Sequence, residues 1–214
     1  MKILIIGAAR GVGRHLAEQA SAGGHQVTGL IQNPLGAGMS HRNLRLVGGT
    51  ITSPAAVAQA VKGQDAVCIT IGIRPTRAPV DVFSRGTEVV LAAMRHAGVR
   101  RLVCVTGIGA GDSRGHGGRL YDRVVLPLLL KSVYADKDRQ ETLVRASDAA
   151  WTLVRPGFLT NRLGTGRYRV SADLIGLKAR KIARADVAHY LLHEMTTSTD
   201  AGRTVLVDGE THAS

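Results

Sequence analysis

The chain has 214 residues, 44% of them apolar, with 28 Lys and Arg against 16 Asp and Glu and a formal net charge of +12. That length suits one domain, 1–214, with a sizeable core, and no apolar run approaches the ~20 residues of a membrane span, so no membrane partner is expected. The positive charge is scattered from Arg10 to Arg203 and aromatics are only 3% of residues, too few for a base-stacking platform, so no nucleic-acid partner is expected either.

The chain starts directly on an apolar run, 2–7, that predicts a strand. No basic region with a cleavable apolar segment precedes it, so a cytoplasmic location is expected. A glycine-rich turn follows, Gly7-Ala8-Ala9-Arg10-Gly11-Val12-Gly13, and then a helix predicted over 13–22. Further strands are predicted over 26–31, 44–47, 66–71, 101–106 and 151–155, with helices over 54–61, 82–96 and 135–146. Gly98 fits a helix C-terminal cap. Cys68 and Cys104 lie inside apolar runs and read as buried free thiols, with no disulfide and no metal site. The apolar cluster 126–130 reads as core or interface. Beyond Pro156 the alternation loosens into loops and short strands over 157–181. A helix then runs from Arg184 to about Met195, with Asp186 in its first turn, and a last strand covers 203–207.

Near-continuous apolar strands separated by helices predict an α/β fold: a doubly wound parallel sheet covered on both faces, with a small C-terminal substrate-side lobe. The strand–turn–helix at the N-terminus has the form of a dinucleotide-binding unit. Its glycines let the backbone approach a pyrophosphate, and the helix offers free N–H groups to the anion. The backbone of Gly7, Ala9, Arg10, Gly11, Val12 and Gly13 is therefore assigned to cofactor binding. Arg10 can reach a ribose 2′-phosphate through a charge-assisted contact; a solvated loop arginine is the alternative. The end of strand two carries Gln32 where an NAD-selective site has an acid, which favours NADPH, although Gln32 can hydrogen-bond either ribose and NAD stays possible.

Three segments are expected to converge beyond the strand ends: Ile71-Gly72-Ile73-Arg74, Thr106-Gly107-Ile108-Gly109 and Arg155-Pro156-Gly157-Phe158. Of these, Ile71, Gly72, Arg74, Thr106, Pro156 and Gly157 are assigned to the cofactor. The polar loop 112–118 lies near the same place, so Ser113, His116, Tyr121 and Tyr134 are candidates for substrate contact.

The segments Ile5-Ile6-Gly7-Ala8, 63–67, Ile71-Gly72-Ile73-Arg74, Val103-Cys104-Val105-Thr106 and 182–187 resemble the atypical short-chain dehydrogenase/reductase family. This is the NAD(P)H-binding family that includes the flavin reductase/biliverdin reductase B group and the NmrA-like proteins. The resemblance spans nearly the whole chain. It implies a Rossmann-type fold and the reduction of a flavin, quinone or other planar acceptor by NADPH. Short-chain reductases use Ser, Tyr and Lys with Tyr-x-x-x-Lys on one helix; this chain has Tyr134 and Lys137, one residue closer. By the same resemblance Thr106 or Gly107 stands at the serine's place, so Thr106, Ser113, Tyr134 and Lys137 are the catalytic candidates. Lys137 either holds the nicotinamide ribose or forms a surface salt bridge with Glu141. Arg10 replaces the family's middle glycine, and Gly49 stands where many relatives carry an acid beside the adenine.

The leading expectation is an NADPH-preferring reductase of a small-molecule acceptor, monomeric or homodimeric. The alternatives are a non-catalytic NAD(P)-sensing regulator of the NmrA-like kind and a sugar-nucleotide epimerase.

Overall fold

The computed structural model describes residues 1–210. Its first strand, β1 (Lys2–Ile6), is buried from Ile3 onward because it has parallel neighbours on both sides, β2 (Gln26–Ile31) and β4 (Ala66–Ile69). With β3 (Leu44–Gly48), β5 (Arg101–Val105), β6 (Ala150–Pro156), β8 (Tyr168–Ser171) and β10 (Arg203–Gly209) these form one sheet in the order β3-β2-β1-β4-β5-β6-β10-β8. The order reverses between β1 and β4, which defines the Rossmann-type doubly wound arrangement and opens a crevice beyond the strand ends there. The sheet is parallel except at its last member: β8 runs antiparallel to β10. The short strands β7 (Phe158–Thr160) and β9 (Lys181–Ala183) pair separately, in the region expected to hold loops and short strands.

Helices cover both faces. Leu16, Ala17 and Ala20 of α1 (Gly11–Ala22) and Val187 and Leu191 of α5 (Arg184–Thr197) bury one face of the sheet. Val57 of α2 (Pro54–Val61), Val90 and Met94 of α3 (Val82–Ala97) and Val144 of α4 (Lys131–Arg145) bury the other. Removing such side chains from water contributes about 1.5–3 kcal/mol each for the larger aliphatics. Cys68 and Cys104 are both buried and free, one on each face. Gly98 caps α3 at φ +69°.

Two expectations need correction. The helix predicted over 135–146 begins at Lys131 and is preceded by a π-helical segment, Tyr121–Leu130, which contains Pro127. A proline in an ordinary α-helix loses a hydrogen bond and clashes with the preceding turn, and the wider π winding accommodates it. The cluster 126–130 is not core. No residue of Tyr121–Leu130 is buried, and Leu128 is 58% exposed. Among the described residues no helix is long and apolar enough to cross a membrane.

Candidate active site

The glycine turn is shaped by close approach. Gly7 (φ +96°) and Gly11 (φ +60°) adopt backbone conformations that side chains disfavour. A Cβ on Gly13 would overlap the Gly7 carbonyl and the hydroxyl of Thr70, which itself donates to the Ile6 carbonyl at 3.0 Å. The start of α1 is thus pressed against the ends of β1 and β4. Arg10, the N-cap, makes no side-chain cap, and the first turn has no acidic residue. The first N–H groups of α1 are left for an exogenous acceptor, so the turn fits a pyrophosphate.

Arg10 differs from its sequence expectation in direction. Its guanidinium donates to the Gly72 carbonyl at 3.3 Å, on the β4 side of the turn, whereas Gln32 is exposed beyond β2 on the other side of β1. Arg14 holds the β2 side, donating to the carbonyls of Ala37 and Gly38 at 3.3 Å each. Gly49 also has a packing reason: a Cβ there would come within 2.6 Å of the Ala56 methyl. Ile71 is half-buried, and Gly72 and Arg74 are exposed along the crevice mouth. Pro156 ends β6, and Gly157 is fixed by close approach of the Arg180 carbonyl and Asp208.

Beyond β5 the structure brings some catalytic candidates together and separates others. Gly107 (φ +155°) lies against Tyr134: a Cβ at 107 would stand 2.9 Å from the Tyr134 hydroxyl. A serine at Gly107 would press on the Tyr134 hydroxyl and hold a backbone conformation that side chains disfavour. The Tyr121 hydroxyl donates to the Ile108 carbonyl and lies in hydrogen-bond contact with the Tyr134 hydroxyl, both at 3.1 Å, and its ring stacks edge-on against Phe158. Burial, then the neighbouring Tyr121, push the Tyr134 phenol well above its ordinary value, so it remains protonated.

Lys137 is not the surface partner of Glu141. It is 7% exposed, and its Nζ lies 4.3 Å from the Phe83 ring centroid, a cation–π contact. Burial lowers its pKa to about 8, against the raising influence of Cys104, Glu141 and Asp136. Tyr134 and Lys137 stand three residues apart on α4, yet the lysine lies over the Phe83 ring and the tyrosine pairs with Tyr121. Glu141 is instead committed to Arg155, whose Nε and Nη2 donate to its two oxygens at 2.9 and 2.6 Å. Thr106 donates its hydroxyl to Glu141 at 2.7 Å, so it braces the β5 end rather than facing the crevice. Ser113 is fully buried. It accepts from the Gly109 N–H and donates to the Ala110 carbonyl, folding the loop on itself, and so is not exposed for substrate. His116 is tied to the Leu177 carbonyl at 2.8 Å.

The sequence did not signal three further supports. Asp136, fully buried on α4, accepts from the Phe83 and Ser84 N–H groups and the Ser84 hydroxyl, capping α3 from another helix. Asp138 accepts from the Gly111 N–H at 2.7 Å. Asp186 accepts from the N–H groups of Thr165 and Gly166, both at 2.8 Å, as well as standing in the first turn of α5. Each joins residues 20 or more apart, which no local pattern reveals.

A family model described as NAD(P)H-binding matches residues 7–198, so the chain belongs to that family. The curated relative YhfK of Bacillus subtilis (strain 168), described as an uncharacterized sugar epimerase, is 28% identical over 165 residues, covering 74% of this chain and 70% of its own. Two solved structures share the fold at lower identity. A wide-type short-chain dehydrogenase/reductase from Veillonella parvula, in complex with NADP, superposes with a TM-score of 0.80 at 17% identity over 99% of this chain and 95% of its own. ChuY from Escherichia coli O157:H7, described as an anaerobillin reductase, gives 0.80 at 18% identity over the whole of both chains. The family membership agrees with the resemblance carried by the sequence segments.

Proposed function

We propose that this protein is an NADPH-dependent reductase that passes hydride to a flavin, quinone or similar planar acceptor. The observation that carries the reading is the uncapped, acid-free start of α1 with Arg10 over it, facing a crevice whose acceptor-side wall is Gly107 and Tyr134. When bound, the nicotinamide supplies the hydride. The α1 N–H groups hold the pyrophosphate, and Arg10 leaves the weak Gly72 contact for the 2′-phosphate. Lys137, at the foot of α3 beside Phe83, donates to the nicotinamide ribose. Tyr134 donates a hydrogen bond to the acceptor atom that gains negative charge; its high pKa suits orientation, with water completing protonation. Acceptors of this class need no strong protein acid, which agrees with a tyrosine paired to another tyrosine.

The test is turnover. Purified protein with NADPH and FMN, FAD or simple quinones is expected to oxidise the NADPH, read as loss of the reduced nicotinamide's absorbance. Tight NADPH binding without turnover on any acceptor overturns the reductase reading. It favours the sensing regulator.

A further inference from the structure

On the face of the sheet covered by α4, that helix stops short of β10 and β8, leaving a cavity of about 520 Å³. It is lined on one side by Asp112, Arg145, Arg155, Arg203 and Thr204. Its floor is apolar, made by Ala172, Leu174 and Leu206. This volume lies within the range of small-molecule sites.

The charges in it are unevenly satisfied. Arg155 is 2% exposed in its side chain, and its Nη1 is covered by Asp112 at 2.5 Å, yet Asp112 is itself 80% exposed. Burial opposes ionisation of Asp112, but the Arg155 hydrogen bond and charge hold its carboxyl below the usual range. Glu141, buried beneath, accepts from Arg155 and from Arg145, and Arg145 also donates to the Thr204 hydroxyl at 3.1 Å. Arg203 is 65% exposed and only loosely paired, 3.9 Å from Asp200. Three guanidinium groups thus line the cavity with one carboxylate, Asp112, while Glu141 lies beneath and Asp200 stands beside Arg203. Asp112, which closes the cavity, comes in from solvent on a loop next to Gly111, whose φ is +52°.

We propose that this cavity is a binding site for a small organic carboxylate with an apolar body, and that the ligand carboxylate takes the place of Asp112 on Arg155. The apolar body rests on Leu174 and Leu206, and Arg203 supplies the second cationic contact. Leu174 and Leu206 also pack against Ile108, in the loop that carries Gly107. A carboxylate that displaces Asp112 therefore acts on the back of the crevice wall, from outside the cofactor crevice. The site stands independently of the reductase reading.

Benzoate is the probe, titrated by calorimetry into the whole protein saturated with NADP at neutral pH. Asp112→Asn removes the built-in competitor and is expected to tighten benzoate several-fold; Arg203→Gln is expected to weaken it several-fold. Both positions are exposed enough for the fold to persist, which circular dichroism checks. Benzamide, the uncharged analogue, is expected not to bind, and sulfate to bind more weakly than benzoate. The proposal is overturned if Asp112→Asn leaves affinity unchanged or lowers it, if sulfate equals benzoate, if benzamide binds as well, or if NADP expels benzoate.

Discussion

The two sides of the crevice are built by different physics. The cofactor side, β1 through β2, is made by backbone: left-handed glycines, an uncapped helix start and strands that pair with near neighbours. The acceptor side is made by side chains reaching across the chain: Thr106 to Glu141, Arg155 to Glu141 and Asp112, Tyr134 into the space above Gly107. A second buried ion pair, Arg101 with Glu194 at 2.6 Å, ties the opposite end of the sheet to α5. The contrast teaches that a backbone-built site tolerates change around it, whereas a side-chain-built site depends on its buried partners, Glu141 and Arg155.

The sharpest way to break this contrast is Arg155→Met. It leaves Glu141 buried without its main partner, and a stability loss of about 3–5 kcal/mol is expected in urea unfolding. Adding Glu141→Leu is expected to restore most of that loss. If the single variant is as stable as the parent, the acceptor side does not depend on this pair.

Arg10→Ala probes the cofactor side. NADPH binding is expected to weaken by about 1.5–3 kcal/mol with NADH little changed, as fits a charge-assisted hydrogen bond to the 2′-phosphate. Equal weakening of both, read by fluorescence titration, reassigns Arg10 to the pyrophosphate, the direction in which its Gly72 contact already leans.

Tyr134→Phe removes one neutral hydrogen bond. The rate with a responsive acceptor is expected to fall by an amount corresponding to about 0.5–1.5 kcal/mol, with NADPH affinity kept. Loss of affinity without loss of rate would move Tyr134 out of the acceptor side.

The smallest effect concerns Lys137. Its pKa lies at about 8, below the ordinary lysine value, so its charge is present below that pH and lost above it. NADPH affinity is therefore expected to decline a few-fold as pH rises through about 8, and Lys137→Arg to flatten the decline. A flat profile in the parent protein would show that the charge of Lys137 does not face the cofactor.

Much of the fold was legible because local rules govern it. Apolar runs bounded by turn glycines marked β1, β2, β4, β5 and β6 within two residues, since a strand buried on both faces admits little else. The helical segment before α4 was not legible: its apolar cluster 126–130 suggests core or interface, whereas the π-helical turns around Pro127 leave it unburied. Ser113 was misread for a related reason: glycine-rich polar sequence suggested an open loop, and the hydroxyl is instead spent inside it. The identity of Lys137 and Glu141 as helix neighbours was legible, but not that each would turn to a different partner.

By itself the sequence determined the Rossmann-type sheet and the pyrophosphate-sized turn, because glycine conformations and strand patterning act over a few residues. Only the tertiary structure decided which side chains face the acceptor, since those positions depend on contacts such as Asp136 with Phe83, 53 residues apart, and Thr106 with Glu141, 35 apart. No periodicity spans such distances. The packing of α4 against β6 and α3 sets them, and with them the chemistry the crevice can support.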